Sequence, residues 1–392
     1  MANLNINSAF DQKRDVPDSG VSYFRPTYVK GLDGIRGVLM VVVLLTHLEF
    51  LGPNVGFIAV DCFFVLSGFL ITWLLMTEWN DSHTINLKDF YYRRALRLLP
   101  VLFAMLAAFA LYTCLANPPA RVARDFYYIF EAVFYFTNWG QIFGLGERLN
   151  FLAQTWSLSI EEQFYILWPP ILLLLLRRTE SKKSLLWWTI LATLCVAFLR
   201  AVYVEFDSPA WSSYWRLGRG LDTRADSLLT GCAAGMVLSG KFMPRRRWLE
   251  WALFFGAAIS IIGLVWLARQ YLFDPWMYCV GWFLASLFTV IVIVYLVYSP
   301  KGILHWMLEF RPLVYIGIIS YGLYVWHFPI FRIFKTHNSG HWRVIAVLVS
   351  VAITLASYYL VERPCLRLKK QFYRMGKPAK PAAARALCPA DS

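Results

Sequence analysis

Ten stretches of this chain, at 32–51, 57–77, 98–117, 157–176, 185–204, 223–240, 249–267, 276–298, 312–334 and 344–362, are apolar over about 17–23 residues. As helices, each would span about 30 Å of hydrocarbon. A water-soluble fold cannot bury so many continuous apolar surfaces. Only 16% of the 392 residues are charged, against about a quarter in soluble domains. The solvent is therefore lipid, and the expected fold is all-α: a polytopic membrane protein of about ten helices, surrounded by membrane lipids. The segment 223–240 is the weakest of the ten, because it holds Arg224, Asp226, Gly231 and Gly235.

The net charge of +14 belongs to the loops. Cationic loops of membrane proteins face the cytoplasm and its anionic lipids. No basic stripe with interleaved aromatics lies outside the apolar runs, which argues against a nucleic-acid partner. The seven cysteines lie mostly within apolar runs, and no two have metal-ligand spacing. They read as packing residues, with no metal site. Residues 1–30 lack the apolar centre of a secretory signal and read as a cytoplasmic tail. Residues 369–392 read as a basic, disordered cytoplasmic tail, and 31–368 form the membrane domain.

The segment 126–143 holds nine aromatics and one acid. It could cross the bilayer or lie in its interface. If it does not cross, the inner loops collect 26 of the 38 Lys and Arg, and the outer loops 8. If it did cross, the basic stretches RRTESKK and KFMPRRR and the C-terminal tail would face outward, against the positive-inside bias. The segment is therefore expected to be interfacial, with both termini in the cytoplasm and the protein in the inner, cytoplasmic membrane.

Charged residues within spanning helices are costly and usually functional. The first run, GLDGIRGVLMVVVLLTH, contains Arg36 and His47, eleven residues apart and so about 16 Å along a helix. Alone, Arg36 could snorkel to the inner headgroups, and His47 could be a packing histidine. Counted from the expected outer boundary, however, His47, Asp61, Glu161, Glu162, Arg224, Asp226 and His327 all fall roughly 2–11 Å deep. That coincidence predicts a polar cavity opening outward. A second cluster, FYYRRALRLLP, places Arg93 and Arg97 on one helical face. It suits either a juxtamembrane basic patch or a phosphate clamp, since guanidinium forks match phosphate oxygens.

These groups compose a mechanism. A phosphate-bearing donor docks near Arg36, Arg93 and Arg97, and its arm reaches outward to His47. His47 is the general base that takes the proton of an attacking hydroxyl. An acid, Asp61 or Glu162, orients it. Glu161, Arg224, Asp226 and His327 line the acceptor pocket. Coenzyme A fits the donor: phosphates at one end and a thioester at the other. Acyl-CoA, with acetyl-CoA foremost, is thus expected as a substrate, without a permanently bound cofactor.

The motifs LDGIRGVLMVVVLLTH, VDCFFVLSGFLIT, FYYRRALRLLP, TWSLSIEEQFYILWP, RADSLLTGCAAG, SYGLYVWHFPI and VERPCLRL resemble, in order, the signatures of the membrane acyltransferase-3 family. The resemblance runs from about Leu32 to Leu368. It implies transfer of acetyl or other short acyl groups from cytoplasmic acyl-CoA to extracytoplasmic acceptors. These include O-antigen, exopolysaccharide, peptidoglycan and lipo-oligosaccharide, and also macrolides. It also implies essential roles for the arginine and histidine of the first helix and for the arginine pair, which fall here on Arg36, His47, Arg93 and Arg97. Some members append an esterase-like domain, which this chain is expected to lack because it ends soon after Leu368. The rival class is a secondary transporter or flippase, disfavoured because no inverted repeat and no helix broken near the midplane is legible. A non-catalytic sensor is the third possibility.

Overall fold

The computed structural model describes residues 28–179, 181–206, 211–239, 246–299, 302–336 and 341–367. Most of both expected tails lies outside them. The described residues contain no strand. In chain order the helices are α1 (Lys30–His47), α2 (Pro53–Ser82), α3 (Leu87–Ala116), α4 (Pro119–Val133), α5 (Thr137–Phe143), α6 (Thr155–Arg178), α7 (Lys182–Phe206), α8 (Trp211–Arg219), α9 (Leu221–Ser239), α10 (Arg247–Ala268), α11 (Trp282–Tyr298), α12 (Ile303–Leu308), α13 (Arg311–Ile318), α14 (Ser320–Thr336) and α15 (Trp342–Ser357). Single π-helical turns precede α11 at Met277–Gly281 and follow α15 at Tyr358–Glu362.

Seven of these segments are long and apolar enough to cross a membrane: α2, α3, α6, α7, α10, α11 with its π turn, and α15 with its extension. This makes the chain a multi-pass membrane protein. An eighth span forms if α13 and α14 count as one, bent by 72°. The remaining two expected spans, α1 and α9, are each too charged to qualify: Lys30, Asp33 and Arg36 lie in the first, and Asp222, Arg224 and Asp226 in the second. Their neighbours explain how the charges are accommodated. α9 packs on α2 and α7, and α1 on α2 and α13, so both present much of their surface to protein.

Small residues permit that packing. A Cβ on Gly34 or Gly37 of α1 would meet the carbonyl oxygens of Leu308 and Leu313 at 1.9 and 2.1 Å. One on Gly231 of α9 would meet Val65 O at 2.1 Å, and one on Gly68 of α2 would meet Leu228 O at 1.9 Å. Backbones this close are the mode of association available to helices in lipid.

Three departures from the sequence reading bear on the site. First, α2 and α3 are each 30 residues long, about 45 Å, so the helical run expected for Arg93 and Arg97 is continuous with the apolar span that begins at residue 98. Asn86 caps α3 by accepting from the Asp89 amide at 3.1 Å. Second, 126–143 is not one rod: the chain turns between α4 and α5, where Tyr135 takes φ +53°. At 15 and 7 residues, neither piece is long enough to span. α4 buries Asp125, Tyr128 and Glu131 and exposes Phe126 and Phe130, as well as Phe134 just after its end. Third, a broken helix exists where none is legible in the sequence. Ile319, at φ −90° and ψ 4°, interrupts the ladder between α13 and α14. The break aims Ser320, Tyr321 and Tyr324 at the interior cavities.

Candidate active site

Two cavities lie between the helices. The first, about 230 Å³, is lined by Arg36 of α1, Arg93, Arg94 and Arg97 of α3, Glu161 and Tyr165 of α6, and Ser320 of α14. The second, about 720 Å³, is lined by His47, Trp156, Trp215, Arg219 and residues of α14 including Phe328. Val60 and Tyr324 line both. The cavities thus adjoin at these two residues, which form the neck between them.

In the first cavity four guanidinium groups face one carboxylate. Each arginine with a nearby acid holds it loosely. Arg36 lies 3.8 Å from Asp33, Arg93 3.7 Å from Glu78, and Arg94 3.4 Å from Glu162. Arg97 is exposed. Arg94 also stacks 3.2 Å above the Tyr165 ring, and Glu161 accepts from the Ser67 hydroxyl at 2.9 Å. An anion entering here would find a surplus of donors whose geometry suits phosphate.

In the second cavity His47 is half-buried at the end of α1, and its Nδ1 lies 3.1 Å from Nε2 of His327. His327 is fully buried, and its Nδ1 lies 3.0 Å from the Leu323 carbonyl. A carbonyl only accepts, so His327 Nδ1 carries a proton. In a neutral ring its Nε2 is then an acceptor. His47 Nδ1 must donate to it, which leaves His47 Nε2 as the free base. One carbonyl thus sets both tautomers, in the manner of the groups that orient catalytic histidines. At the neck, Ser157 Oγ lies 2.5 Å from the Tyr324 hydroxyl, which donates to Gln154 O at 2.9 Å.

The structure therefore unites some expected residues and separates others. His47 sits beside His327, but His327 lies behind it and does not line the larger cavity. Asp61 is not at His47. Its Oδ1 accepts from Arg224 Nη2 at 2.6 Å and from Ser227 Oγ at 2.7 Å. Asp226 accepts from Arg200 Nη1 at 2.7 Å. These four charges have 0% exposure and line neither cavity, which corrects the expectation for Asp61, Arg224 and Asp226. Glu161 lines the arginine cavity and Glu162 pairs with Arg94 at 3.4 Å, so neither belongs to the histidine. Distance along a helix gives depth but not azimuth, and one residue's step turns a side chain by about 100°. So Val60 faces the cavity while Asp61, its neighbour, faces α9. Sequence reasoning gave no role to Tyr324, Arg94 or Arg219. The first two lie within quoted motifs, Tyr324 two residues from Trp326 and Arg94 beside Arg93 in the basic cluster. Arg219 carries no such signal.

The profile of the acyltransferase domain family matches residues 29–362. Over 360 residues the chain is 33% identical to the peptidoglycan O-acetyltransferase OatA of Listeria monocytogenes, covering 86% of this chain and 56% of that protein. The putative peptidoglycan O-acetyltransferase YrhL of Bacillus subtilis is 31% identical over 86% of this chain and 55% of its own length. The O-acetyltransferase OatA of Staphylococcus aureus is 29% identical, over 87% and 58%. The chain spans a little over half the length of these relatives. No solved structure matches it. The matched residues take in both cavities and the helices that frame them, and the chain belongs to the acyltransferase family.

Proposed function

We propose that the chain is a membrane O-acyltransferase that moves an acetyl or other short acyl group from cytoplasmic acyl-CoA to a hydroxyl of an extracytoplasmic carbohydrate. The observation that carries this reading is the meeting of two unlike cavities at Val60 and Tyr324. One is built for phosphate, and the other presents an unoccupied imidazole nitrogen. The donor's phosphates engage Arg36, Arg93 and Arg97, and its thioester enters the neck. The acceptor hydroxyl approaches from the larger cavity. His47 Nε2 takes its proton as the oxygen attacks the thioester carbonyl, the C–S bond breaks, and coenzyme A leaves as the thiol. His327 positions His47. The names of the relatives support a cell-wall glycan as acceptor. The ten-span topology, with both termini in the cytoplasm of the inner membrane, is part of the same proposal. It places the arginine cavity inside and the larger one outside.

The test is transfer of radiolabelled acetyl from acetyl-CoA to cell-wall glycan by the purified full chain. Label on the glycan, lost in His47→Ala, supports the reading. The break between α13 and α14 favours a second one, a transporter, since broken helices frame the sites of many. Translocation of glycan or donor with no acyl transfer would select it.

A further inference from the structure

The larger cavity has a charge imbalance that the transfer reaction does not use. Its charged lining, apart from His47, is three cations, Arg219, Arg332 and Lys335, and one acid, Glu49. Glu49 is already engaged by Lys335 and by Arg343, the latter at 3.6 Å. Arg332 donates to the Leu149 carbonyl at 2.6 Å. Arg219 is different. Its guanidinium lies 4.0 Å from the Trp215 ring centroid, 5.2 Å from that of Trp156 and 5.5 Å from that of Phe57. Its Nε–H is buried without a hydrogen-bond partner. Burial, with the Arg224 and Arg148 cations nearby, pulls its pKa down to about 9 against the opposing pull of Tyr278 and Tyr324.

A guanidinium over an indole ring, as Arg219 is over Trp215, still has its N–H donors in its own plane, at its edge. That edge matches a planar two-oxygen acceptor. The indole faces beside it suit the apolar face of a sugar ring, and 720 Å³ lies within the roughly 300–1,000 Å³ of ligand clefts. We propose that Arg219 is the acceptor-recognition residue of this cavity, and that the preferred acceptor is an acidic carbohydrate whose carboxylate binds the Arg219 edge. The proposal rests on the transferase reading for its catalytic consequence. Its binding consequence stands apart from it.

Two measurements on the detergent-purified full chain test it. In the first, intrinsic tryptophan fluorescence reports binding of glucuronate, glucose and glucose 6-phosphate. Glucuronate is expected to bind at least about tenfold tighter than glucose, the scale of a hydrogen bond to a charged group, and Arg219→Gln to abolish that margin. In the second, acetyl transfer is compared between a uronate-bearing oligosaccharide and the same oligosaccharide with its carboxylate reduced to the alcohol. The kcat/KM ratio of acid to alcohol is expected to be roughly 10–100 in the wild type, near one in Arg219→Gln and intermediate in Arg219→Lys. Equal loss on both acceptors in Arg219→Gln, or tighter binding of glucose 6-phosphate than of glucuronate, overturns the proposal. Normal glucuronate binding lost in Arg219→Gln, with no transfer to either oligosaccharide, would uphold the site and overturn the transferase reading. No glucuronate preference in binding or transfer would overturn the site alone.

Discussion

At the scale of single residues, chemistry in this chain depends on which atom of a side chain is left free. The Leu323 carbonyl fixes His327, and His327 fixes His47. We expect His47→Ala to lose about 10²–10⁴ in kcat, the usual cost of a general base, with normal membrane insertion. His327→Ala should lose less, because the base remains and only its tautomer is freed. The ranking is read from steady-state rates of both variants. Reversal would make His327 the base, and retention of more than about a tenth of the wild-type rate by His47→Ala would remove it from the chemistry. For the arginines, Arg93→Lys and Arg97→Lys keep the charge but lose the fork. The apparent KM for acyl-CoA should rise about tenfold in each, and an unchanged KM in both would rule out a phosphate clamp. The sequence allowed both clusters to be found by depth and spacing. It could not pair them correctly, because facing direction is decided by the neighbours of each helix. Asp61 illustrates this, lying at the right depth on the wrong face.

At the scale of elements, hydropathy identifies long apolar helices whether they meet lipid or, like α2, mostly protein. α9 is charged, and its Arg224 and Asp226 are ion-paired inside the protein. Arg200, Asp226, Arg224 and Asp61 tie α7, α9 and α2 together with no access to water. Removing one member leaves its partner buried and unpaired, at about 3–5 kcal/mol. Asp61→Asn should therefore lower the thermal unfolding midpoint of the detergent-solubilised protein, and its activity should fall in step with the folded fraction. A fully stable but inactive Asp61→Asn would return Asp61 to the catalytic machinery. The long apolar helices were legible because lipid imposes one rule on all of them. The break at Ile319 and the turn at Tyr135 were not, because neither position holds the proline or glycine that usually marks an interruption.

For the whole molecule, orientation governs function, since the reading assigns the arginine cavity to one side of the membrane and the histidine cavity to the other. A reporter fused after Arg178 should read cytoplasmic, and one fused within 118–125 external. The opposite pair of results would invert the donor and acceptor sides.

The neck at Val60 and Tyr324 has one more consequence. On the proposed topology the two cavities are wells sunk from opposite faces, which thins the insulation between them, and an electric potential drops chiefly where water is scarcest. Any charge crossing that plug would feel up to about 2.3 kcal/mol per 100 mV. A neutral acetyl group would pass it at any voltage. An acyl group with its own carboxylate would be drawn outward by an interior-negative cell, and its transfer should quicken as proteoliposomes are energised. On that topology the same plug would keep the two wells from becoming a pore. Tyr324→Ala should discharge a potassium-diffusion potential that the wild type holds, as read by a voltage-sensitive dye, and an undiminished potential would mean that the barrier lies elsewhere.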